Sequence, residues 1–416
     1  MFLYIDPGTG SMLFTILIGI ATAAFFSIKK IVMRIGFIVN GGRKKREKDD
    51  NTVHPCVIFS DSKRYWNVFC PVCNELEKRC IKTEYWTMSA DDPALGEKYK
   101  YINCVYIGNG NSAFAKLNMM NANICLSTTP GLDVYQWKRS KRVKHYVHIT
   151  HDVCSVTAYR MFGIDFYDAV LLPNHFIESE LRELERKRGL APKEVTVVGS
   201  TYMDGLRIQY EKYRKNNNLR DDGISILVAP SWGESSLLNR YGEVFIDALI
   251  ETGYTVIIRP HPQSFISDFH LIEALKKKYS SNKKIIWNED NDNFEIMSKS
   301  SILISDFSGI IFDFAFTFGR PVIYADTKLD LSPYDDCWLD AEPWRLSILP
   351  AIGRQLQEDS FDKMKQIIDE MINDKQSEFF REELCEKVWE YQGKAAILAV
   401  DFIEMKMKEQ KTTCLE

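Results

Sequence analysis

The chain has 416 residues, 45% of them hydrophobic and 26% charged, and a formal net charge of −4. That is globular material for two domains of ordinary size with chain to spare, and the slight acidity offers no electrostatic basis for binding nucleic acid. The ten cysteines are scattered, several inside apolar runs such as those holding Cys56, Cys104 and Cys125, so they read as reduced thiols rather than as a disulfide framework.

Residues 1–10 carry one charge, Asp6, and residues 11–28 carry none, a stretch long enough for a short membrane span. A basic linker follows over 29–53, with Lys29, Lys30, Arg34 and the run from Arg43 to Lys48. A removable leader has its basic residues ahead of the apolar stretch and a small-residue cleavage site behind it, so this order predicts a transmembrane anchor instead. The Lys and Arg excess on its carboxyl side places residues 1–10 outside and the bulk of the chain in the cytoplasm, as a single-pass protein of the cell membrane.

From 54 to 215 short apolar runs alternate with helical patterns. The runs are Pro55 to Ser60, Tyr101 to Gly108, Ile124 to Thr129, Tyr146 to Ile149, Ala169 to Pro173 and Val195 to Gly199, which predicts a parallel sheet with crossover helices. Cys70-Pro71-Val72-Cys73 has no second pair or His cluster to complete a metal site and reads as small apolar residues on a helix. In Tyr146-Val147-His148-Ile149-Thr150-His151-Asp152, alternation turns His148 into the packing. His151 leaves the strand toward a crevice, where it can act as a general base with Asp152 or another carboxylate orienting it. The run Lys138 to Arg142 ahead of it suits a polyanionic acceptor or a solvated turn.

The polar, turn-rich stretch Lys212 to Gly223 marks a boundary, and the alternation resumes over 224–350. Beyond it, 351–416 reads as helices only. Three strand ends in this second domain carry polar groups. Pro230 to Ser236 includes Ser231, Gly233 and Ser235, small residues that let backbone approach an anion. Arg259-Pro260-His261-Pro262 supplies a planar fork of donors and an imidazole held between two prolines. Ser305-Asp306-Phe307-Ser308-Gly309 runs into a helical pattern carrying Asp313, so the N–H groups of a helix start face the same crevice. Asp306 and Ser308 are also residue types that cap helices. Together these groups are chemistry for a phosphate. No residue pattern defines a resident metal, although a divalent cation can enter with a nucleotide substrate.

Arg-Pro-His-Pro at 259–262, Ser-Asp-Phe-Ser-Gly at 305–309, Ile-Ile-Phe-Asp-Phe-Ala at 310–315 and Gly-Arg-Pro-Val-Ile-Tyr at 319–324 resemble the CDP-glycerol glycerophosphotransferases of teichoic-acid synthesis, most strongly between 145 and 330. The resemblance implies an α/β fold of two facing Rossmann-like domains of GT-B type, here with an N-terminal transmembrane helix. Residues 54–215 would form the acceptor domain and 224–350 the nucleotide-donor domain. It implies transfer of glycerol phosphate, or a related polyol phosphate, from a CDP-activated donor to a hydroxyl of a cell-envelope glycan or lipid-linked acceptor. The family's histidine from each domain maps onto His151 and His261. Arg259, Ser231, Gly233, Ser305, Asp306, Ser308 and Gly309 would hold the donor phosphates, supported by Asp152, Asp313 and Ser235. The chain departs from the family at Asp152-Val153-Cys154, where Gly-Thr-Pro is usual, and at Gly309, where Ser is common. Ser-Asp-x-Ser-Gly with Val198-Gly199 and Asp204 is also similar to non-hydrolysing UDP-N-acetylglucosamine 2-epimerases, whose paired Glu residues are Ile311-Phe312 here. A membrane-tethered nucleotide-binding protein without catalysis is the third reading.

Overall fold

A computed structural model describes residues 52–216, 223–290 and 292–413. The expected membrane span at 11–28 lies outside these, and among the described residues no helix is long and apolar enough to cross a membrane.

Two fully parallel sheets organise the described chain. The first comprises β1 (His54–Ser60), β2 (Thr83–Thr87), β3 (Ile102–Tyr106), β4 (Ala122–Ser127), β5 (Val143–Ile149), β6 (Ala169–Leu172) and β7 (Glu194–Val197), in the order β3-β2-β1-β4-β5-β6-β7. The second comprises β8 (Ser225–Val228), β9 (Thr255–Ile258), β10 (Ile285–Trp287), β11 (Ile302–Ser305), β12 (Val322–Ala325) and β13 (Arg354–Leu356), in the order β10-β9-β8-β11-β12-β13. Strand order reverses between β1 and β4 and again between β8 and β11, so the loops leaving those strands splay apart and open a crevice at the carboxyl edge of each sheet. His151 follows β5, next to β4, and the three polar strand ends of the second domain follow β8, β9 and β11.

Two strands differ from the sequence reading. β2 (Thr-Glu-Tyr-Trp-Thr) alternates buried and half-buried residues and lacks an apolar run. β13 (Arg-Gln-Leu) lies at the edge of the second sheet with Arg354 and Gln355 exposed, so the segment beyond 350 is not helical throughout. An edge strand covered on one side needs few apolar residues.

The last helix, Ala395–Thr413, returns to the first domain, where Ala399, Val400, Phe402 and Ile403 join the core formed with Phe69, Val72 and Leu76 of helix Trp66–Lys78. Asp204 anchors the return: its carboxylate accepts from Trp389 Nε1 (3.1 Å) and from the backbone N–H groups of Gly393 (2.7 Å) and Ala395 (3.1 Å). Gly199 has φ +87° and a Cβ there would stand 2.4 Å from the Glu390 carbonyl, so only glycine lets the returning chain pass. Helix Ile310–Phe318 is buried on nearly every face, its phenylalanines packed with Met203, Leu206 and Tyr210 of helix Thr201–Asn216. An all-round apolar helix is what that position between layers requires.

Candidate active site

Between the loops of the two sheets lies a cleft of about 820 Å³. Its second-domain wall includes Arg259, His261, Asn288, Asp290, Asp292 and Ser308, and its first-domain wall includes Ser62, Lys63, Arg64 and Trp66, with Tyr202 between them.

His261 is held on two sides. Its Nδ1 accepts the Gln263 backbone N–H at 3.1 Å, which leaves the proton of the neutral ring on Nε2. Burial, then the charges of Arg64 and Arg259, lower its pKa to about 4, so the ring is an uncharged N–H donor at neutral pH. Arg259 donates to the Asn288 side chain, and burial lowers its pKa against the opposing pull of Asp290 and Asp292. Helix Ile310–Phe318 starts beside them with Gly309 at its N-cap and no side-chain cap, its Ile311 and Phe312 N–H groups donating to the Ser308 and Gly309 carbonyls at 3.1 and 3.0 Å.

Ser305 and Asp306 turn the other way. Both are fully buried. Ser305 Oγ donates to the Ala229 carbonyl at 2.7 Å. The Asp306 carboxylate accepts the backbone N–H groups of Ser231 (3.0 and 3.1 Å), Leu237 (2.9 Å) and Phe307 (2.8 Å). Those N–H groups could otherwise have faced a phosphate; in this structure Asp306 organises the Pro230-to-Leu237 loop. Ser231 Oγ is buried without a hydrogen-bond partner among the described residues, Gly233 N donates to Asp268 at 3.1 Å, and Ser235 Oγ lies 3.5 Å from the Lys328 carbonyl.

The first-domain histidine sits behind the cleft wall. The His151 ring packs on Tyr65 (centroids 5.1 Å apart), the neighbour of Arg64, and stacks on Tyr159 at 5.9 Å. Its Nδ1 is 3.1 Å from Thr128 Oγ1 and 3.4 Å from the Tyr159 hydroxyl. Asp152 lies on the other side, with Oδ2 3.9 Å from Nε2, too far for a hydrogen bond, and Oδ1 accepting the Cys154 N–H at 3.0 Å. His148 is fully buried, as alternation along β5 predicts. Its Nε2 is 3.1 Å from the Tyr159 hydroxyl, and burial lowers its pKa to about 3.

Asp313 and Tyr202 join the halves. Burial, with Asp152 nearby, raises the Asp313 carboxyl to about 8 against the lowering influence of the neighbouring Tyr202 hydroxyl. A Cβ on Gly309 would stand 3.4 Å from Cys154 Sγ and 3.7 Å from Asp152 Oδ2. The two places where this chain departs from the family pattern therefore touch. Thr128, Tyr159, Tyr202 and Arg64 did not emerge from the sequence. The signal available for Arg64 was the polar run Asp61 to Arg64 at the carboxyl end of β1, an end that also adjoins the strand-order reversal.

The fold is shared with solved structures of the same two-sheet, GT-B-like class. The wall teichoic acid polymerase TagF aligns with 16% identity over 93% of this chain and 97% of its own, at a TM-score of 0.58. A UDP-GlcNAc 2-epimerase of Methanocaldococcus jannaschii, in complex with UDP-GlcNAc and UDP, aligns with 15% identity over 84% of this chain and 99% of its own, at 0.56. The Neisseria meningitidis UDP-GlcNAc 2-epimerase bound to UDP-GlcNAc matches with the same identity, coverage and TM-score. No curated protein sequence matches the chain. The family model for CDP-glycerol:poly(glycerophosphate) glycerophosphotransferases matches residues 163–399, more than half of the chain, and the chain belongs to that family. It is a glycerophosphotransferase. The matched segment contains His261 and the 305–309 loop and begins after His151.

Proposed function

We propose that the enzyme moves glycerol phosphate from CDP-glycerol to a hydroxyl of a teichoic-acid-type acceptor in the cell envelope, anchored in the membrane by residues 11–28 with its catalytic part in the cytoplasm. The observation that carries the reading is the uncharged His261 beside Arg259, at an uncapped helix start, facing a first-domain wall that presents Arg64. His261 Nε2–H and the two guanidinium groups are donors for the donor's two phosphates and for the charge that grows on the departing CMP. His151 takes the proton of the acceptor hydroxyl as its oxygen attacks the β-phosphorus. The new O–P bond forms as the bond to the bridging oxygen breaks and CMP leaves. Asp306 acts by shaping the loop after β8. The basic residues over 29–53 add attraction to anionic lipid headgroups, about 1 kcal/mol for each residue near the surface.

Binding raises apparent thermal stability with ligand concentration over Kd. CDP-glycerol is expected to raise the melting temperature of the protein, with UDP-N-acetylglucosamine at equal concentration leaving it unchanged. Stabilisation by the UDP-sugar alone would overturn the donor assignment.

A further inference from the structure

A histidine base works through one nitrogen only if the other is held, and in hydrolytic triads a buried carboxylate does the holding. Asp152 is the carboxylate that adjacency suggests. It stands instead on the Nε2 side of His151, at 3.9 Å, with its other oxygen engaged by the Cys154 N–H. Nδ1 faces two neutral hydroxyls from separate loops, Thr128 Oγ1 at 3.1 Å after β4 and the Tyr159 hydroxyl at 3.4 Å. Thr128 is buried and Tyr159 partly buried, and stacking of the Tyr159 ring on the imidazole at 5.9 Å sets the plane of the ring as well. The other titratable groups facing His151 are Asp61, Tyr65 and His148. Among the described residues none of them hydrogen-bonds Nδ1.

We infer that Thr128, assisted by Tyr159, is the positioning residue of the transfer: it accepts the Nδ1–H of His151 and so leaves the Nε2 lone pair to take the acceptor's proton. This rests on His151 being the base. In the step, the acceptor O–H proton passes to Nε2, the O–P bond forms, the P–O bond to CMP breaks, and Nδ1–H stays on Thr128 throughout. The imidazolium that results has Asp152 beside its new N–H, where a carboxylate stabilises the charge without competing for Nδ1. His148 is not a second proton acceptor in a relay, because full burial holds it neutral; it ties Tyr159 in place.

The test is steady-state CMP release by the full-length enzyme from CDP-glycerol, with a poly(glycerophosphate) oligomer as acceptor. The variants are Thr128→Val, Thr128→Ser, Tyr159→Phe, the Thr128→Val/Tyr159→Phe double variant and His151→Ala as reference. Thr128→Val keeps shape and removes the acceptor. It is expected to lower kcat about 10- to 100-fold with KM for CDP-glycerol within about twofold, the scale of losing alignment rather than binding. The acid limb of kcat/KM should move to lower pH, because the imidazolium loses its Nδ1 partner. Thr128→Ser should recover kcat to within about threefold, and the double variant should fall further than either single one. A double variant with the wild-type kcat and acid limb, alongside an inactive His151→Ala, overturns the positioning role alone. Full turnover by His151→Ala overturns the base and this inference together. If Tyr159→Phe does not fold, the Thr128→Val and Thr128→Ser pair decides.

Discussion

His148 and His151 share one strand end and have opposite surroundings. His148 is sealed in the sheet, neutral down to about pH 3 in the folded chain but free to take a proton near 6.5 once unfolded. Between those values the unfolded chain binds more protons, so this residue makes stability fall as pH drops from about 6.5 toward 3. Asp313 has the opposite sign. Its carboxyl keeps a proton up to about 8 in the folded state and loses it near 3.8 when unfolded, so its share of stability declines as pH rises from about 4 to 8. Asp313→Asn should therefore gain on the wild type as pH rises. In urea titrations at pH 4 and pH 8 its relative stability is expected to improve by at least about 2 kcal/mol across that span, and an unchanged difference would contradict the buried, protonated carboxyl. Arg64 has no carboxylate within ion-pair distance among the described residues and lines the cleft, so Arg64→Ala should raise KM for CDP-glycerol by about tenfold or more, the cost of one charge-assisted contact, as read in initial-rate kinetics.

Loops leaving parallel strands carry the site, and their legibility in sequence follows from burial. β4, β5, β8, β9 and β11 are covered on both faces and appear as apolar runs that end abruptly in polar residues, so Arg259, His261 and Ser308 could be read as a strand-end cluster. β2 and β13 could not, because their residues are half polar. Nor could the direction of Asp306 be read, since a residue just past a strand can face the ligand or the neighbouring loop with equal sequence support. Thr128 belongs to a Thr-Thr-Pro-Gly stretch that reads as a turn, and its meeting with His151 is made by β4–β5 pairing. Asp306 illustrates the energetic weight of such a turn: Asp306→Ala strands the buried N–H groups of Ser231 and Leu237, which costs about 1–3 kcal/mol each. The expected outcome is a lower urea midpoint together with a higher KM for CDP-glycerol, and a normal midpoint would show that the loop holds itself.

Across the whole molecule the two domains are clasped away from the cleft by buried charge. Asp336 accepts from Thr157 Oγ1 of the first domain at 2.6 Å and pairs with Arg345, while Asp335 pairs with Arg188, and both aspartates are essentially inaccessible. Removing one member leaves an unpaired buried charge, so Asp336→Ala should destabilise by about 3–5 kcal/mol in equilibrium unfolding. A change below about 1 kcal/mol would mean that the clasp is not closed in solution. With that clasp behind it and the C-terminal helix returning to the first domain, the cleft is framed by both halves, and the proposed transfer draws on both. The most direct measurement is CMP release from CDP-glycerol in the presence of a poly(glycerophosphate) acceptor, comparing the wild type with His261→Ala of unchanged circular dichroism. Turnover coupled to acceptor growth in the wild type, reduced at least about 1,000-fold in the variant, is the predicted result. Near-normal turnover by His261→Ala, or epimerisation of UDP-N-acetylglucosamine with CDP-glycerol untouched, would contradict it.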